Sequence, residues 1–504
     1  MTHATQSVGR AVAYEGAHWL TLDRLAFGIL VLLALSLGLG DIAQLTTLDT
    51  VLLNGVHALL PLVIGLAILA AAIDHRWPRL PRQVTLPLAA WLLVLLLAAA
   101  LASTNRAEAL TVLERPTAGA LLAWSIYALC TTRGRWLLLA RAVALGGLAI
   151  ALIGLAEASG TPPIQSWLAS LHNGQVPIGD VPRLASTLSH PNVAAILLEL
   201  SLPLLIAWMW TAAHPWRVLL ACGALGTLLA IVLTFSRAGI VAEFIGLAVM
   251  ARASIVRGGR WRLLTLGFVA LAVPAALIYA AINAPGLDRR LTAELTSVTP
   301  QQASSSAQPP RSVYWLVALD MLRDNPWLGV GPDNYRWRFA SYSGLAEDNL
   351  GVHAHNQYFE ALADSGILGL LTLGWLLVAL VRTAIDGVRF TAAPAGLASR
   401  ADWPWRAAVL ASLSAWLVHA VLDDFERFWP ASVAFWLIAG LVQNPQRLKS
   451  QKTAPTTTIS TSRTRIPPGL ASAAPAPPPP TKLTIHRIVR RRVTSKQDVI
   501  RGAR

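Results

Sequence analysis

Val84-Thr-Leu-Pro-Leu-Ala-Ala-Trp-Leu-Leu-Val-Leu-Leu-Leu-Ala-Ala-Ala-Leu-Ala102 runs for nineteen residues without a charge. A helix rises about 1.5 Å per residue, so this stretch is long enough to cross a hydrocarbon core of about 30 Å. Leu25–Gly40, Val51–Ile73 and Leu263–Ile282 are runs of the same kind, with no Lys or Arg. A backbone in lipid must satisfy its own hydrogen bonds, which makes such runs helices. Membrane strands would alternate over segments of about ten residues, and the sequence shows no such alternation. Of all residues 55% are hydrophobic and only 13% charged, where a soluble chain carries about 25% charged. The expected fold is an all-α polytopic membrane protein with about 12 transmembrane helices.

The predicted spans are 25–40, 51–73, 84–102, 117–130, 136–157, 192–210, 217–235, 238–251, 263–282, 358–381, 407–422 and 429–442. Charge tests the count, because short cytoplasmic loops collect Lys and Arg. With residues 1–24 cytoplasmic, the inner loops and span edges hold 16 Arg and the short outer loops five. This predicts both termini inside and a long extracytoplasmic loop, 283–357, between spans 9 and 10. The charged start leading into 25–40 reads as an uncleaved first span. Cys130 and Cys222 fall in or beside apolar runs, where buried packing is expected and a disulfide is not.

The formal charge of +15 does not point to nucleic acid. Residues 443–504 hold 13 Lys and Arg against Asp498, so the tail carries +12 and the rest of the chain only +3. The tail is rich in Pro, Ser and Thr and is expected to be a disordered basic cytoplasmic segment. Anionic lipid headgroups are its simplest partner; a solvated, orienting tail is the plainer reading. The transmembrane domain is expected over 25–442.

The long loop is patterned. A helix is predicted over 311–324, with Trp315, Leu316, Leu319 and Leu322 on one face. Asn325-Pro-Trp-Leu-Gly-Val-Gly-Pro332 breaks it, and a second short amphipathic stretch follows over Asp333–Tyr342. A helix then re-enters the bilayer after His353-Ala-His-Asn356, placing His355 and Asn356 at an N-terminus, where free N–H groups favour an anion. Gly366 and Gly369 are small enough for a neighbouring helix to approach.

At these residues the chain resembles the O-antigen ligase and polymerase superfamily. His355, Asn356, Gly366 and Gly369 fit its His-Asn…Gly…Gly motif. Thr234-Phe-Ser-Arg-Ala-Gly239 is similar to its Ser-Arg turn, and Arg311 with Trp315 and Asn325–Gly331 to its loop signature. His190-Pro-Asn-Val-Ala194 looks like its Pro-Asn segment. The resemblance covers about 20–442 and omits the tail. It implies a metal-independent, inverting glycosyltransferase of the bacterial cytoplasmic membrane, working in cell-surface polysaccharide biosynthesis. The donor would be an undecaprenyl-diphosphate-linked glycan and the acceptor a lipid or a glycan.

The residues are compatible with that chemistry. A diphosphate leaving group needs fixed positive charge, and Arg binds phosphate oxygens bidentately while staying protonated. Arg237 and Arg311 are the candidates. His355 is the candidate base for the acceptor hydroxyl. Asn356, Arg336, Arg338, Tyr335 and Asn192 are candidate substrate contacts. Each has a plainer reading: a snorkelling span-end residue for Arg237, a solvated helix start for Arg311, an interfacial cap for His355, headgroup contact for Arg336 and Arg338. His353 and His355 lack an obvious third ligand, so neither a metal nor another cofactor is expected. Glu199 and Glu243 lie inside spans, either lining a site or bonding between helices. A repeat-unit polymerase of the same superfamily, a protein oligosaccharyltransferase and a lipid-glycan flippase are the alternatives. The absence of a clear internal repeat weighs against the flippase.

Overall fold

In a computed structural model the described residues are 22–39, 46–48, 51–53, 55–169, 177–178, 181–257, 267, 311–344, 352–392 and 397–443. The chain divides into a unit Met1–Thr453 and a unit Ala454–Arg504. The basic tail beyond Gln443, the predicted span 263–282 and loop residues 283–310 and 345–351 lie outside the described residues.

The described chain is helical apart from two minimal antiparallel pairs, β1 Thr46–Leu48 with β2 Val51–Leu53 and β3 Pro177–Ile178 with β4 Val181–Pro182. The helices are α1 Leu22–Leu39, α2 Gly55–Ile73, α3 Arg82–Ala100, α4 Arg106–Val112, α5 Glu114–Leu129, α6 Arg133–Ala158, α7 Pro162–Ala169, α8 Pro191–Thr211, α9 His214–Leu233 and α10 Arg237–Arg257. After the undescribed stretch come α11 Arg311–Asp324, α12 Tyr335–Ser343, α13 Gln357–Ala392, α14 Leu397–His419 and α15 Trp429–Val442. Eight of the described helices, α1, α2, α3, α6, α8, α9, α10 and α13, are long and apolar enough to cross a membrane. Helices α5, α14 and α15 also lie on predicted spans. With 16 and 14 residues, α5 and α15 are short, while α14 carries Arg400, Asp402 and Arg406.

Helix starts follow local chemistry. Thr132 caps α6 by accepting from the Arg135 N–H, and His190 Nδ1 caps α8 by accepting from the Asn192 N–H ahead of Pro191 at the first position. Helix α8 is the central post. In its apolar window 94% of the residues are buried, against 39% for α3, and it packs on α6, α9, α10, α14 and α15. A polar seam crosses this centre. His419 Nδ1 on α14 lies 2.8 and 3.0 Å from the two carboxylate oxygens of Glu199 on α8, so Glu199 serves as an interhelical tie. The Glu243 carboxylate on α10 is buried and takes no hydrogen bond from any described residue.

The structure corrects three expectations. Cys130 is buried, but Cys222 is exposed on α9. Helix α11 turns Tyr314, Val317, Ala318 and Met321 inward, and Leu316 is exposed. The buried set follows the i, i+3, i+4, i+7 spacing 314, 317, 318, 321, and Leu316 lies on the side that carries Asp320 and Arg323. Gly366 receives no neighbouring helix. It breaks α13 with φ +65°, and a Cβ there would sit 2.4 Å from the Trp327 carbonyl carbon. The loop after α11 docks into this break. The Val330 and Gly331 N–H groups donate to the Ala363 and Asp364 carbonyls, and the Ile367 and Leu368 N–H groups to the Pro326 and Trp327 carbonyls. Backbone groups freed by the interruption are thereby satisfied. Gly329, at φ +67°, passes so close that a Cβ would meet the Ala363 carbonyl oxygen at 2.3 Å.

Candidate active site

Five chain segments meet at one end of the bundle: residues 183–192 before and into α8, the turn between α9 and α10, the start of α11, residues 352–360 entering α13, and the loop 420–428 between α14 and α15. Asn192 and Arg183 together join three of them. Asn192 Nδ2 donates to Asp423 Oδ2 at 2.5 Å, and its Oδ1 accepts from Arg183 Nη2 at 2.7 Å. Arg183 Nε donates to the Thr234 carbonyl at 2.7 Å, which brings this guanidinium beside the turn that carries Arg237. Buried Glu157 accepts from the Ala185 and Ser186 N–H groups, and Leu184 N donates to the Leu233 carbonyl. The Arg183 segment is thus tied to both α6 and α9.

Across from Asn192, His355 Nδ1 lies 3.5 Å from Asp423 Oδ1. The His355 side chain is 42% exposed and that of Asp423 11%. Asn356 Oδ1 caps α13 by accepting from the Tyr358 and Phe359 N–H groups. The Gln357 N–H donates to the Ala420 and Asp423 carbonyls, locking loop 420–428 to this helix start. His355 itself is held at φ +49°, a left-handed conformation that costs about 1–3 kcal/mol and persists only where its surroundings fix it. Helix α11 supplies part of that constraint. The Tyr314 ring meets His355 edge-on at 5.4 Å, Trp315 stacks on Phe359 at 5.6 Å, and Trp315 Nε1 donates to the Ala354 carbonyl. Arg311 is one turn before Tyr314 on the same helix.

Charge in this cluster is polarised. Burial would raise the Asp423 carboxyl, but the His355 contact, His419 and the Asn192 hydrogen bond together hold it well below the usual carboxylate range. Asp423 is therefore an anion at neutral pH. Burial and the Arg183 guanidinium push His190 down to about 4, so it is a neutral imidazole, as its Nδ1 acceptor role requires.

Beside His355 lies a second histidine–carboxylate group. His353 Nδ1 is 2.8 Å from Glu360 Oε1 and 3.7 Å from Asp424 Oδ2. Burial alone would lower His353, but Glu360 and Asp424 hold it above its ordinary value. Burial and the crowding of carboxylates push Asp424 upward and Glu426 up to about 7. These groups border an open cleft also lined by Arg115, Asp364 and Arg427.

The predicted site residues therefore fall into two sets. His355, Asn192 and Asn356 come together, with Arg311 half-buried and Arg237 exposed on the neighbouring helix starts. The other three are engaged elsewhere. Arg336 pairs with Asp333 and Glu108, and Arg338 reaches Ser103 and the Tyr342 ring. Tyr335 is fully buried, its hydroxyl donating to the Tyr314 carbonyl; burial pushes that hydroxyl far above its ordinary value. Tyr335 thus props α11 behind His355. Sequence reasoning missed Arg183 and Asp423. Arg183 had a signal, as one of few Arg in the predicted outer loops, whereas Asp423 had none short of the fold.

A family model described as O-antigen ligase matches residues 222–374, and no curated protein matches the chain. The matched stretch contains the turn with Arg237, α11, the docking loop and the His355–Gly369 block, while Arg183, Asn192 and Asp423 lie outside it. With its many apolar helices the chain is an integral membrane protein, and the match supports its place in the O-antigen ligase/polymerase superfamily.

Proposed function

We propose that this protein is a membrane glycosyltransferase that moves a glycan from an undecaprenyl-diphosphate carrier to an acceptor hydroxyl, acting as a ligase at the outer face of the bacterial cytoplasmic membrane. The observation that carries the reading is the chain Arg183–Asn192–Asp423–His355, an exposed histidine backed by a buried carboxylate and set beside guanidinium groups. With Nδ1 turned to Asp423, His355 offers Nε2 to the acceptor hydroxyl and takes its proton as the oxygen attacks the anomeric carbon. Asp423 orients the ring and stabilises the imidazolium. The bond from the anomeric carbon to the carrier diphosphate breaks in the same step, which inverts the centre. Arg237, Arg311 and Arg183 neutralise the departing diphosphate. Proton abstraction and charge neutralisation are both supplied by side chains.

The test is incubation of the purified protein with labelled undecaprenyl-diphosphate glycan and acceptor, followed by mass spectrometry. The expected product is acceptor carrying the whole preformed glycan. His355→Ala, Arg237→Ala and Arg311→Ala should each abolish or strongly reduce it. Transfer at the wild-type rate by His355→Ala refutes the enzyme reading. A ladder of chain lengths on the carrier would assign the protein as a repeat-unit polymerase instead.

A further inference from the structure

The chemistry proposed above does not use His353, Glu360 and Asp424. These three residues come from three places: the segment before α13, the first turn of α13, and loop 420–428. One ligand atom from each lies within 4.8 Å of the others, and all three residues are buried, at 6%, 6% and 5% exposure. Glu360 Oε2 accepts from the Ala354 N–H at 2.7 Å and Asp424 Oδ1 from the Glu426 N–H at 3.3 Å. Asp424 Oδ2 takes no hydrogen bond from any described residue, and its recorded neighbour is His353 Nδ1 at 3.7 Å. Its residue lines the cleft, and an oxygen turned toward an imidazole and a second carboxylate, with no hydrogen-bond donor of its own, is an acceptor that a cation would satisfy. The surrounding charge favours one. The cleft beside the cluster is lined by Asp333, Glu360, Asp364, Asp424 and Glu426 against Arg115 and Arg427, and Asp333 is already paired with Arg336.

We propose that His353, Glu360 and Asp424 bind one divalent transition-metal ion of the Zn²⁺ or Mn²⁺ class. An imidazole nitrogen beside two carboxylates selects such an ion over Mg²⁺ or Ca²⁺, which take oxygen ligands. Three protein ligands leave further positions for water from the cleft. Metal ligation replaces the His353–Glu360 hydrogen bond and joins the segment 352–356 and loop 420–428 to α13. His355 is two residues from His353, and Asp423 is adjacent to Asp424, so the ion would fix the separation of the His355–Asp423 pair. Its role is positioning, and its binding is independent of the glycan-transfer reading.

The experiment uses full-length protein without an affinity tag, in detergent and stripped with chelator. Zn²⁺, Mn²⁺, Mg²⁺ and Ca²⁺ are added in separate arms. Bound metal is measured by mass spectrometry after gel filtration, and Tm is measured alongside. The expected result is one retained equivalent of Zn²⁺ or Mn²⁺ per chain and a rise in Tm on adding it, because an ion that binds only the folded state stabilises that state. Asp424→Asn and Glu360→Gln should each lose both, and gel filtration reports whether either variant is folded. Retention of the equivalent in a folded variant overturns the proposal, as does the absence of saturable binding or binding of Mg²⁺ or Ca²⁺ alone. Glycan is absent from every arm, so failure here leaves the transferase reading standing, and failure of that reading leaves this one standing.

Discussion

His353 and His355 are separated by one residue and meet adjacent aspartates, yet their side chains are 7% and 42% exposed. The backbone turns at His355, which is held at φ +49°, and the two side chains meet different surroundings. His353 turns inward to Glu360 and Asp424, and His355 turns to the rim beside Asp423 and Tyr314. The same pairing of imidazole with carboxylate thus serves two purposes. The open pair can touch a substrate, and the closed pair can only hold the structure together. What separates them is access rather than composition.

The largest effect should fall on the open side. His355→Ala should lower glycan transfer by about 10²–10⁴-fold, the range of a lost general base, while leaving Tm nearly unchanged because the side chain is exposed. His353→Ala should do the reverse in kind. It strips a buried carboxylate pair of its cation, a loss of about 3–5 kcal/mol, read as a fall in Tm and in folded yield. If the two variants were equally stable, the division between them would collapse. Asp423→Asn sharpens the open side. It exchanges a charge-assisted contact worth about 1.5–3 kcal/mol for a neutral one, so transfer should fall by roughly ten- to a hundredfold, with a smaller fall in Tm than that of His353→Ala. The smallest effect is expected at Arg336→Ala. Its partners Asp333 and Glu108 form a partly exposed network, whose loss should cost below about 1 kcal/mol in thermal unfolding and leave transfer intact.

Much of this arrangement was legible in the sequence where it depended on local pattern. Apolar runs marked most of the long helices, and the start of α13 was marked at His355 and Asn356, although the cap was expected of His355 and Asn356 supplies it. The two short helices between 311 and 343 were marked by the spacing of their apolar residues. The site itself was legible only in half. His355 sat in a recognisable block, but its partner Asp423 reaches it through the fold, as does the hydrogen bond from Asn192, 231 residues away. Tyr335 and Arg336 have the side chains of a binding site, and only the tertiary structure reveals that the Tyr314 carbonyl, Asp333 and Glu108 already occupy them. Gly366 was taken for a packing residue because the sequence does not reveal that φ is positive there.

The docking of Pro326–Gly331 against Ala363–Leu368 closes the base of residues 332–362 with four backbone hydrogen bonds. Those bonds use no side chain, and glycine is demanded at 329, 331 and 366, each with positive φ and no room for a Cβ. The enclosed segment carries α12, His353, His355 and the first turns of α13. A substitution at Gly329 or Gly366 would therefore be felt at His355 through the backbone rather than through any side chain.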